Sequence, residues 1–567
     1  MSDRHFAFWP KTQPYHLTVP QTNLFYNLEV SAARFPDKPF LIFYDTPITF
    51  AEVKNGAERI AGFLEQECGV KKGDRVLLYM QNSPQFILAY YGILRANAVV
   101  VPVNPMNLTD ELRHYVDDTG AATAIVPQDL YARMQPLLGH GLEHIIVAAY
   151  SDYLRRATEL PVPDFIAAAR QPIADAGTVL WNDMLACDSR PGPLTAGPED
   201  LCVLPYTSGT TGYPKGCMHT HRSAMYNAVA GVQWFDTRQD TVLLATLPFF
   251  HVTGMQGSMN GPLLAGSTVV LLPRWDCDVA AHAVQRYGVT ALHLITTMVI
   301  DFLANPGIGR YDLKSIRRIS GGGASMPEAI AQKLNDLLGI SYLEGYGMSE
   351  TIAPTHLNPP ARPKKQCLGI PIYDVDARVI DPVSMRELPS GEVGEIVVHG
   401  PQVMLGYWNN LQATQDAFIE IDGKRFLRTG DLATTDEDGY FFMVDRLKRM
   451  INASGYKVWP AEVEALMYRH PAINEVCVIA TRDPRRGESV KAVVVLKDAF
   501  HDRISEQEIV DWAYRNMAAY KSPRSIEFMD ALPKSGTGKV QWRTLQEREA
   551  RRSMQPAQAS SEQPDAT

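Results

Sequence analysis

The sequence predicts an α/β fold with a large N-terminal domain of parallel sheets flanked by helices, a β-rich subdomain, and a small α+β C-terminal domain. Three observations support this prediction. The first third of the chain alternates helical and strand patterns, the middle continues the alternation with more Gly and Pro, and a separate helix–strand set begins at residue 460. With 567 residues, the chain is also too long for one ordinary hydrophobic core.

The first long helix is marked by its cap and by its apolar spacing. Thr49 and Glu52 form a capping box, in which each side chain satisfies a backbone N–H of the first turn. One face of this helix carries the apolar residues Val53, Ala57, Ile60 and Leu64. Gly69 is expected to end the helix.

The elements that follow predict a parallel sheet. The runs Arg75–Tyr79 and 98–103 are short and apolar, and the Ser-Pro pair at 83–84 begins a helix between them. A helix from Thr109 and a strand at 122–126 continue the pattern. Because parallel strands need crossover connections of this kind, we expect a parallel sheet that is covered on both faces.

The chain changes character near residues 440–460, and this change predicts a domain boundary. Upstream, the runs 375–380 and 394–398 predict strands of the β-rich section. Downstream, Pro460 suits the first turn of a helix. The remaining predicted elements are strands at 476–480, 490–496 and 526–529 and a helix over Glu506–Asn516. We therefore predict domains at 1–446 and 447–552, and a disordered tail at 553–567 that is rich in Ser, Gln, Pro and Ala.

The overall composition excludes several classes of protein. The formal net charge of −9 argues against a nucleic-acid binder, because phosphate contacts need clustered Lys and Arg. Seven Cys at wide spacing, without a C-x-x-C pair, argue against a disulfide framework or a Cys metal site and favour a reducing cytoplasm. The apolar stretch 86–103 is interrupted by Arg95 and Asn97, so no membrane span is predicted.

A loop rich in Gly, Ser and Thr carries the strongest chemical signal. The segment 206–216, YTSGTTGYPKG, follows an apolar run at 201–204 and precedes a helix predicted from Ser223. Its glycines let backbone N–H groups converge, and its hydroxyls together with Lys215 suit the β and γ phosphates of a nucleotide. The spacing is not that of a Walker loop. The alternative is a flexible polar surface loop.

Five further motifs accompany this loop in a fixed order. They are YGMSE at 346–350, RTGD at 428–431, DRLK at 445–448, SGYK at 454–457 and PKSGTGK at 533–539. Together with the loop, they resemble the signatures of the acyl-adenylate-forming, or AMP-binding, superfamily. The resemblance spans roughly residues 30 to 545 and is closest to bacterial medium- and long-chain fatty acyl-CoA synthetases.

The resemblance implies an ATP-dependent acid–CoA ligase. Such an enzyme forms an acyl-AMP and pyrophosphate from ATP, Mg²⁺ and a carboxylic acid, and then transfers the acyl group to coenzyme A. Both partners of the first step are anions, so its transition state needs positive charge at the α-phosphate. An aryl or short-chain acid:CoA ligase is the alternative within the superfamily.

The resemblance also implies a nucleotide site. Its predicted residues are Thr207, Ser208, Gly209, Thr210, Thr211, Gly212, Lys215, Gly322, Gly323, Ala324, Tyr346, Gly347, Ser349, Asp431 and Arg446. Residues 322–324 would form a platform beneath adenine, with Tyr346 on the opposite ring face. Asp431 would bind the ribose hydroxyls, and Arg446 would contact the sugar or a phosphate. Ser349 stands where the family usually has Thr and keeps the hydroxyl.

Three predicted catalytic residues complete the first half-reaction. Glu350 is the metal-coordinating position, and Lys539 is the mobile cation that bridges the acid and the α-phosphate. His251, in the segment PFFHVTGM at 248–255, would border the acyl tunnel. Met255 stands where long-chain relatives have a Trp gate, which puts control of chain length in doubt. His219 and His221 are assigned no catalytic role.

The second half-reaction implies a mobile C-terminal domain. The small domain would rotate about Lys448, and Ser454, Gly455, Tyr456 and Lys457 would then replace Lys539 and line the thiol tunnel. Alternative functions are a peptide-synthetase adenylation domain, a luciferase, a nucleotide hydrolase and a non-catalytic lipid-binding relative. The expected partners are small molecules only, without nucleic acid; a homodimer and a peripheral membrane contact are compatible with the family.

Overall fold

The computed structural model describes residues 4–207, 214–323, 326–446, 449–453, 456–483, 487–501, 503–535 and 539–554. The chain forms two compact units. The large unit comprises Met1–Glu392, Ile396–Thr429 and Thr435–Phe442, and the small unit comprises Val393–Glu395, Gly430–Thr434 and Met443–Thr567.

The large unit contains most of the helices. In chain order they are α1 (Phe25–Arg34), α2 (Phe50–Gln66), α3 (Pro84–Arg95), α4 (Thr109–Thr119), α5 (Tyr131–Met134), α6 (Asp164–Ala167), α7 (Trp181–Ala186), α8 (His221–Trp234), α9 (Val252–Gly254), α10 (Gly261–Ala265), α11 (Cys277–Tyr287), α12 (Thr296–Ala304), α13 (Glu328–Leu338) and α14 (Leu411–Asp416). A π-helical stretch, Met255–Asn260, joins α9 to α10.

The strands up to residue 446 form four sheets. In chain order they are β1 (Pro39–Phe43), β2 (Thr46–Thr49), β3 (Arg75–Tyr79), β4 (Val99–Val103), β5 (Thr123–Pro127), β6 (His144–Ala148), β7 (Thr178–Leu180), β8 (Leu201–Val203), β9 (Tyr206–Thr207), β10 (Lys215–Gly216), β11 (His219–Thr220), β12 (Val242–Ala245), β13 (Thr268–Leu271), β14 (Ala291–His293), β15 (Arg318–Gly322), β16 (Tyr342–Met348), β17 (Ala353–Leu357), β18 (Ile370–Pro371), β19 (Asp376–Ile380), β20 (Gly394–His399), β21 (Phe418–Ile421), β22 (Lys424–Thr435) and β23 (Phe441–Arg446).

Two large sheets dominate, and they contain the predicted parallel strands. One has the order β11-β8-β4-β3-β5-β6-β7, and the other has the order β18-β17-β16-β15-β14-β12-β13-β1-β2. The neighbours β3–β4, β3–β5 and β5–β6 are parallel, as are β12–β13, β14–β15 and β15–β16. A further sheet has the order β19-β20-β22-β21, with β23 beside β22, and β9 pairs only with β10. The predicted α/β fold class is confirmed.

Local sequence signals explain why these elements form where they do. Thr49 caps α2 by accepting a hydrogen bond from the backbone N–H of Glu52, and the reciprocal bond completes the predicted capping box. Ser83 caps α3, whose residues from Pro84 to Leu94 are all buried. A helix that is apolar on every side suits a position packed between other elements.

The small unit has its own core. Its elements are β24 (Ile451–Ala453), β25 (Tyr456–Val458), α15 (Pro460–Met467), β26 (Ile473–Asp483), β27 (Gly487–Leu496), α16 (Glu506–Asn516), β28 (Ser525–Phe528) and α17 (Trp542–Met554). The sheet has the order β25-β24-β27-β26, with β28 parallel to β27. The helix predicted at Pro460 and the helix over Glu506–Asn516 are both confirmed.

Several predicted boundaries differ from the structure. Helix α8 begins at His221, two residues before Ser223, because Thr220 accepts the capping hydrogen bond from the Ser223 N–H. Strand β15 ends at Gly322, so the first residue of the predicted adenine platform belongs to the strand. Helix α17 continues through Met554, past the predicted start of the tail, and residues 555–567 lie outside the described part of the chain. Among the described helices, none is long and apolar enough to span a bilayer.

Candidate active site

The two ends of the Gly-rich loop meet in the large unit. Thr207 pairs with Lys215 and Tyr206 pairs with Gly216, so β9 and β10 form an antiparallel ribbon at the base of the loop. The predicted phosphate ligands Ser208, Gly209, Thr210, Thr211 and Gly212 lie outside the described residues. The ribbon shows that Thr207 and Lys215, eight positions apart, are neighbours in space.

Glu350 and Lys215 contact the same aromatic side chain. The Tyr407 hydroxyl donates a 2.8 Å hydrogen bond to Oε1 of Glu350, and Nζ of Lys215 lies 4.5 Å from the centre of the Tyr407 ring. The Met404 N–H donates to the Glu350 carbonyl oxygen at 2.8 Å. Two residues from different sequence motifs are thus brought together through Tyr407, which no motif contained.

The carboxylate of Glu350 is a chemically suitable magnesium ligand. Glu350 is only 8% exposed, and a carboxylate oxygen is the hard donor that Mg²⁺ prefers. Within the described parts of the chain, no group of three or more His, Cys, Asp and Glu residues is arranged to hold a metal. A metal held by one carboxylate would take its other ligands from substrate phosphates and water, which is the usual mode for Mg²⁺.

Ser349, beside Glu350, is fixed by a buried histidine. Nε2 of His219 donates to the Ser349 carbonyl oxygen at 2.7 Å, which requires the proton to be on Nε2. Burial lowers the pKa of His219 to about 4, so the imidazole is neutral near pH 7. His219, which is assigned no catalytic role from the sequence, therefore supports the backbone of the 346–350 motif.

The predicted adenine platform is a place where two backbones approach closely. Strand β15 runs parallel to β16, with Gly322 opposite Gly345. A Cβ added to Gly322 would overlap the Gly345 carbonyl oxygen, and one added to Gly347 would overlap the Ala353 carbonyl oxygen. Gly323 adopts a φ of 90°, a region that side chains disfavour. Ala324 lies outside the described residues.

Tyr346 and His251 are both partly fixed by their neighbours. Tyr346 is 8% exposed, and its ring lies edge-on to His356 at 5.6 Å between ring centres. His251 is half-buried and caps α9 by accepting a 3.4 Å hydrogen bond from the Thr253 N–H. Met255, the position expected to hold a gate, is fully buried.

In the small unit, a buried carboxylate attracts two cations. Nε of Arg446 lies 2.9 Å from Oδ1 of Asp431, whose side chain is 2% exposed. Desolvation by the surrounding protein lowers the pKa of the Lys539 ammonium, Arg446 lowers it further, and Asp431 opposes both effects. The Lys539 residue as a whole keeps a solvent-exposed surface, so salt weakens the interactions of its ammonium with Arg446 and Asp431.

The described residues on the two sides of positions 536–538 pair with each other. The Ser535 N–H donates to the Lys539 carbonyl oxygen at 2.8 Å, and Lys534 bridges to Val540. Strand β25, which contains Tyr456 and Lys457 of the predicted thiolation loop, pairs antiparallel with β24, Ala453 with Tyr456 and Asn452 with Lys457. Ser454, Gly455 and the predicted hinge Lys448 lie outside the described residues.

Sequence reasoning missed Tyr407 and its neighbour Trp408. The Trp408 N–H donates to the Gly216 carbonyl oxygen at 2.8 Å, and its indole N–H donates to the Asp118 carbonyl oxygen at 2.9 Å. These bonds hold the 404–408 segment against the base of the Gly-rich loop. The available signal was a Gly followed by two aromatic residues at 406–408, between the apolar run 403–405 and a polar stretch that begins at Asn409.

Comparison with known proteins gives the family. The model of the AMP-binding enzyme family matches residues 28–408, and that of the AMP-binding enzyme C-terminal domain matches residues 462–539. A long-chain-fatty-acid–CoA ligase of Bacillus subtilis is 34% identical over 557 residues, which cover 96% of this chain and 97% of the relative. A feruloyl-CoA synthase of an Amycolatopsis species is 36% identical over 498 residues, with coverages of 87% and 92%.

Solved structures agree with this assignment. The anthranilate CoA ligase AuaEII, in complex with anthranoyl-AMP, superposes with a TM-score of 0.83 at 26% identity, covering 95% of this chain and 99% of that one. ATP-bound MatB from Rhodopseudomonas palustris gives a TM-score of 0.80 at 27% identity, with coverages of 93% and 99%. The chain therefore belongs to the AMP-binding family of acyl-adenylate-forming enzymes.

Proposed function

We propose that this chain is an ATP-dependent fatty acid–CoA ligase for medium- and long-chain acids. The acid's carboxylate attacks the α-phosphate of ATP and releases pyrophosphate, which leaves an acyl-AMP. The thiol of coenzyme A then attacks the acyl carbon, so that AMP leaves and a proton is released. The observation that carries the proposal is the arrangement of Lys215 and Glu350 around Tyr407, at the base of the Gly-rich loop.

This arrangement suits a metal-bound triphosphate. Lys215 supplies a cation and Glu350 an anion, and each contacts Tyr407 within a few ångströms. A triphosphate needs positive charge on its oxygens, and its metal needs a carboxylate. In this proposal the loop residues Thr207 to Gly212 wrap the β and γ phosphates, while Glu350 holds Mg²⁺. The metal would neutralise charge that develops on the leaving pyrophosphate.

The nucleoside is assigned to residues of both sheet and loop. Gly322, Gly323 and Ala324 would lie under adenine, and Gly347 and Ser349 would belong to the same pocket wall. Glycine is needed at 322 and 347, because the backbone of a neighbouring segment leaves no room for a side chain at either position. Tyr346 is proposed as the stacking partner.

The sugar and the reacting phosphate are assigned to residues of the small unit. Asp431 would accept hydrogen bonds from the ribose hydroxyls, as a carboxylate can do with two oxygens. Arg446, already paired with Asp431, would keep that carboxylate oriented. Lys539 would bring its ammonium to the acid and the α-phosphate during the first half-reaction.

The second half-reaction is assigned to a movement of residues 447–552 about Lys448. Strand β25, which contains Tyr456 and Lys457, would then take the place of Lys539 and open a path for the thiol. Lid and hinge motions of this kind commonly separate chemical steps that need different groups at one atom. The boundary after residue 446 and the hinge at Lys448 are predictions from the DRLK motif.

The class of acid is proposed from the relatives. The Bacillus subtilis ligase is described as acting on long-chain fatty acids, and the similarity spans nearly all of both chains. The feruloyl-CoA synthase has the higher identity, at 36%, over a shorter region, which favours an aromatic acid as the second candidate. His251 and Met255 are proposed to border the acid pocket, so they are the positions where this choice would be made.

One assay tests both candidates. The purified protein would be given ATP, Mg²⁺ and single acids, from acetate to palmitate and including benzoate and ferulate, and pyrophosphate, orthophosphate and acyl-AMP would be measured. Acid-dependent pyrophosphate with acyl-AMP, highest for C8 to C16 acids, is the expected result. A preference for ferulate would select the aryl ligase, and orthophosphate without acyl-AMP would indicate a nucleotide hydrolase and refute the proposal.

The surroundings of the enzyme are also proposed. All seven cysteines are free thiols, which suits a reducing cytoplasm. A homodimer and a peripheral contact with membranes, where apolar acids collect, are compatible with this function. Size-exclusion chromatography with light scattering and flotation with anionic vesicles would test them separately.

A further inference from the structure

Tyr407 joins the two groups that the proposed function assigns to the triphosphate. Its hydroxyl donates to Oε1 of Glu350 at 2.8 Å, and its ring faces Nζ of Lys215 at 4.5 Å from the ring centre. The residue is 57 positions from Glu350 in sequence, outside every motif that identified the site. One side chain therefore makes two different polar contacts, one through its hydroxyl and one through its ring.

The position of Tyr407 is set by backbone contacts on both sides. Its N–H donates to Oγ1 of Thr414 at 2.9 Å, and the residue bridges to Cys217 on the strand side of the Gly-rich loop. The next residue, Trp408, donates its N–H to Gly216. The backbone that carries the Tyr407 side chain is thus anchored by Thr414, Cys217 and Gly216, and not only by its contacts with Glu350 and Lys215.

The chemistry of the phenol favours a permanent donor. The Tyr407 phenol is a hydroxyl donor near neutral pH, and its bond to Oε1 of Glu350 uses that proton. A protonated phenol donates to one carboxylate oxygen and limits rotation of the carboxylate. The ring face, which is rich in electron density, attracts the Lys215 ammonium.

We propose that Tyr407 is a positioning residue for the nucleotide-bound metal: its hydroxyl orients the Glu350 carboxylate and its ring holds Lys215 beside the Gly-rich loop. Groups that hydrogen-bond to a metal ligand commonly change metal affinity or activity by 10- to 100-fold when removed. This inference rests on the proposed role of Glu350 in metal binding. The roles of the hydroxyl and the ring can be tested separately, because Tyr407→Phe removes the hydroxyl and keeps the ring.

The test measures metal binding directly, without turnover. Mn²⁺ replaces Mg²⁺ as a spectroscopic probe, and its binding is followed by electron paramagnetic resonance with α,β-methylene-ATP, which cannot release pyrophosphate. Tyr407→Phe is expected to weaken Mn²⁺ binding roughly tenfold. Its affinity for the analogue without metal should stay within about twofold, because the contact of the ring with Lys215 remains. Tyr407→Leu, which loses the ring as well, should weaken both.

A matched control removes another buried tyrosine hydroxyl. The Tyr226 hydroxyl donates to the Asp374 carboxylate in the same large unit, and not to Glu350. Tyr226→Phe should bind Mn²⁺ and the analogue as the parent does. If Tyr407→Phe also binds Mn²⁺ with parental affinity while its thermal unfolding is unchanged, the positioning role is wrong.

A double-mutant cycle distinguishes action through Glu350 from a general structural effect. In a Glu350→Gln background, Tyr407→Phe should change Mn²⁺ affinity by less than about twofold, because the ligand that it orients is already altered. An undiminished tenfold loss in that background would overturn the proposal. None of these measurements requires an acyl product, so a parent enzyme that binds Mn²⁺ but forms no acyl-AMP would refute the proposed function and not the positioning role.

Discussion

Nε of Arg446 lies 2.9 Å from Oδ1 of Asp431, and the two residues differ sharply in exposure, with 52% of the arginine side chain and 2% of the aspartate side chain open to solvent. Both also act on Lys539, but with opposite sign: Asp431 raises the pKa of the lysine and Arg446 lowers it. A catalytic ammonium must be protonated to carry charge. The pair therefore influences the pH at which the Lys539 ammonium loses its proton and its positive charge.

Substitutions in this pair should move the alkaline limit of adenylation in opposite directions. Asp431→Asn removes a group that raises the Lys539 pKa, so the rate should begin to fall at a lower pH. Arg446→Gln removes a group that lowers it, so the fall should begin at a higher pH. Shifts of up to about one pH unit are expected, reduced by salt. The measurement is kcat for pyrophosphate formation at saturating ATP from pH 6 to 10; shifts of the same sign would contradict the assignment.

Removal of Lys539 should separate the two half-reactions. Lys539→Ala should lower adenylation by several orders of magnitude, because the cation proposed to bridge the two anionic reactants is lost. Acyl transfer from a supplied acyl-AMP to coenzyme A should stay close to the parental rate. Single-turnover assays of each step provide the measurement. Equal losses in both steps would mean that the lysine supports the fold or both reactions alike.

The hinge assignment can be tested by fixing one dihedral angle. Lys448→Pro holds φ near −65°, so it should hinder rotation of the small domain. Thiolation should slow by more than adenylation, because thiolation is the step that is proposed to need this rotation. Lys448→Ala is the control, because it removes the charge and leaves the backbone free. If proline and alanine variants transfer the acyl group at the same rate, residue 448 is not the hinge.

The adenine platform should tolerate no side chain at Gly322. A Cβ there would overlap the carbonyl oxygen of Gly345 on the neighbouring strand, so Gly322→Ala must push two backbones apart. We expect at least a tenfold rise in the KM for ATP and a loss of stability of about 1–3 kcal/mol. Gly309→Ala is the control, because a Cβ at that position meets no atom within contact distance. An equal KM for ATP in the Gly322→Ala and Gly309→Ala variants would argue against close packing at the proposed platform.

Elements with local signals were the predictable part of this fold. Strand β3 and helix α16 have the predicted bounds, because an apolar run or a capping box is complete within a few residues. The start of α8 was placed two residues late, since the Thr220 cap was not recognised. The motifs identify candidate residues along the chain, but a motif does not show how far its residues lie from those of another motif.

The missed parts depend on contacts between distant segments. Tyr407 reaches Glu350 only because the 404–408 segment returns to the base of the Gly-rich loop. His219 supports Ser349 across 130 positions. Helical or strand periodicity marks neither residue, and the Gly-Tyr-Trp sequence at 406–408 does not show which residues Tyr407 contacts.

Glu344 is a further residue without a sequence signal, and it predicts a pH dependence of stability. Glu344 lies on β16, opposite Gly321 of β15, and is 4% exposed. Its carboxyl accepts hydrogen bonds from the backbone N–H groups of Met326 and Gln366. Burial raises its pKa to about 8, although those two hydrogen bonds oppose the rise. The folded protein therefore keeps this carboxyl protonated up to about pH 8, whereas the unfolded chain ionises it near pH 4.5.

The sign of the effect follows from proton binding. Between pH 4.5 and 8 the folded state holds a proton that the unfolded state releases, so the contribution of Glu344 to stability is complete below pH 4.5 and declines as pH rises through 8. Glu344→Gln cannot ionise and should not show this decline. From pH 5 to pH 8, the stability of the variant relative to the parent should therefore rise, by at most about 1.4 kcal/mol per pH unit.

Urea unfolding at pH 5, 6.5 and 8 measures this difference, with tryptophan fluorescence as the probe. Glu328→Gln is the matched control, since the Glu328 side chain is 61% exposed and its substitution should change stability by less than about 0.5 kcal/mol at each pH. A relative stability of Glu344→Gln that stays constant or falls with pH would mean that Glu344 is already ionised in the fold. The carboxylate would then have to be satisfied by the Met326 and Gln366 N–H groups alone, and the strand beside the adenine platform would carry a buried negative charge.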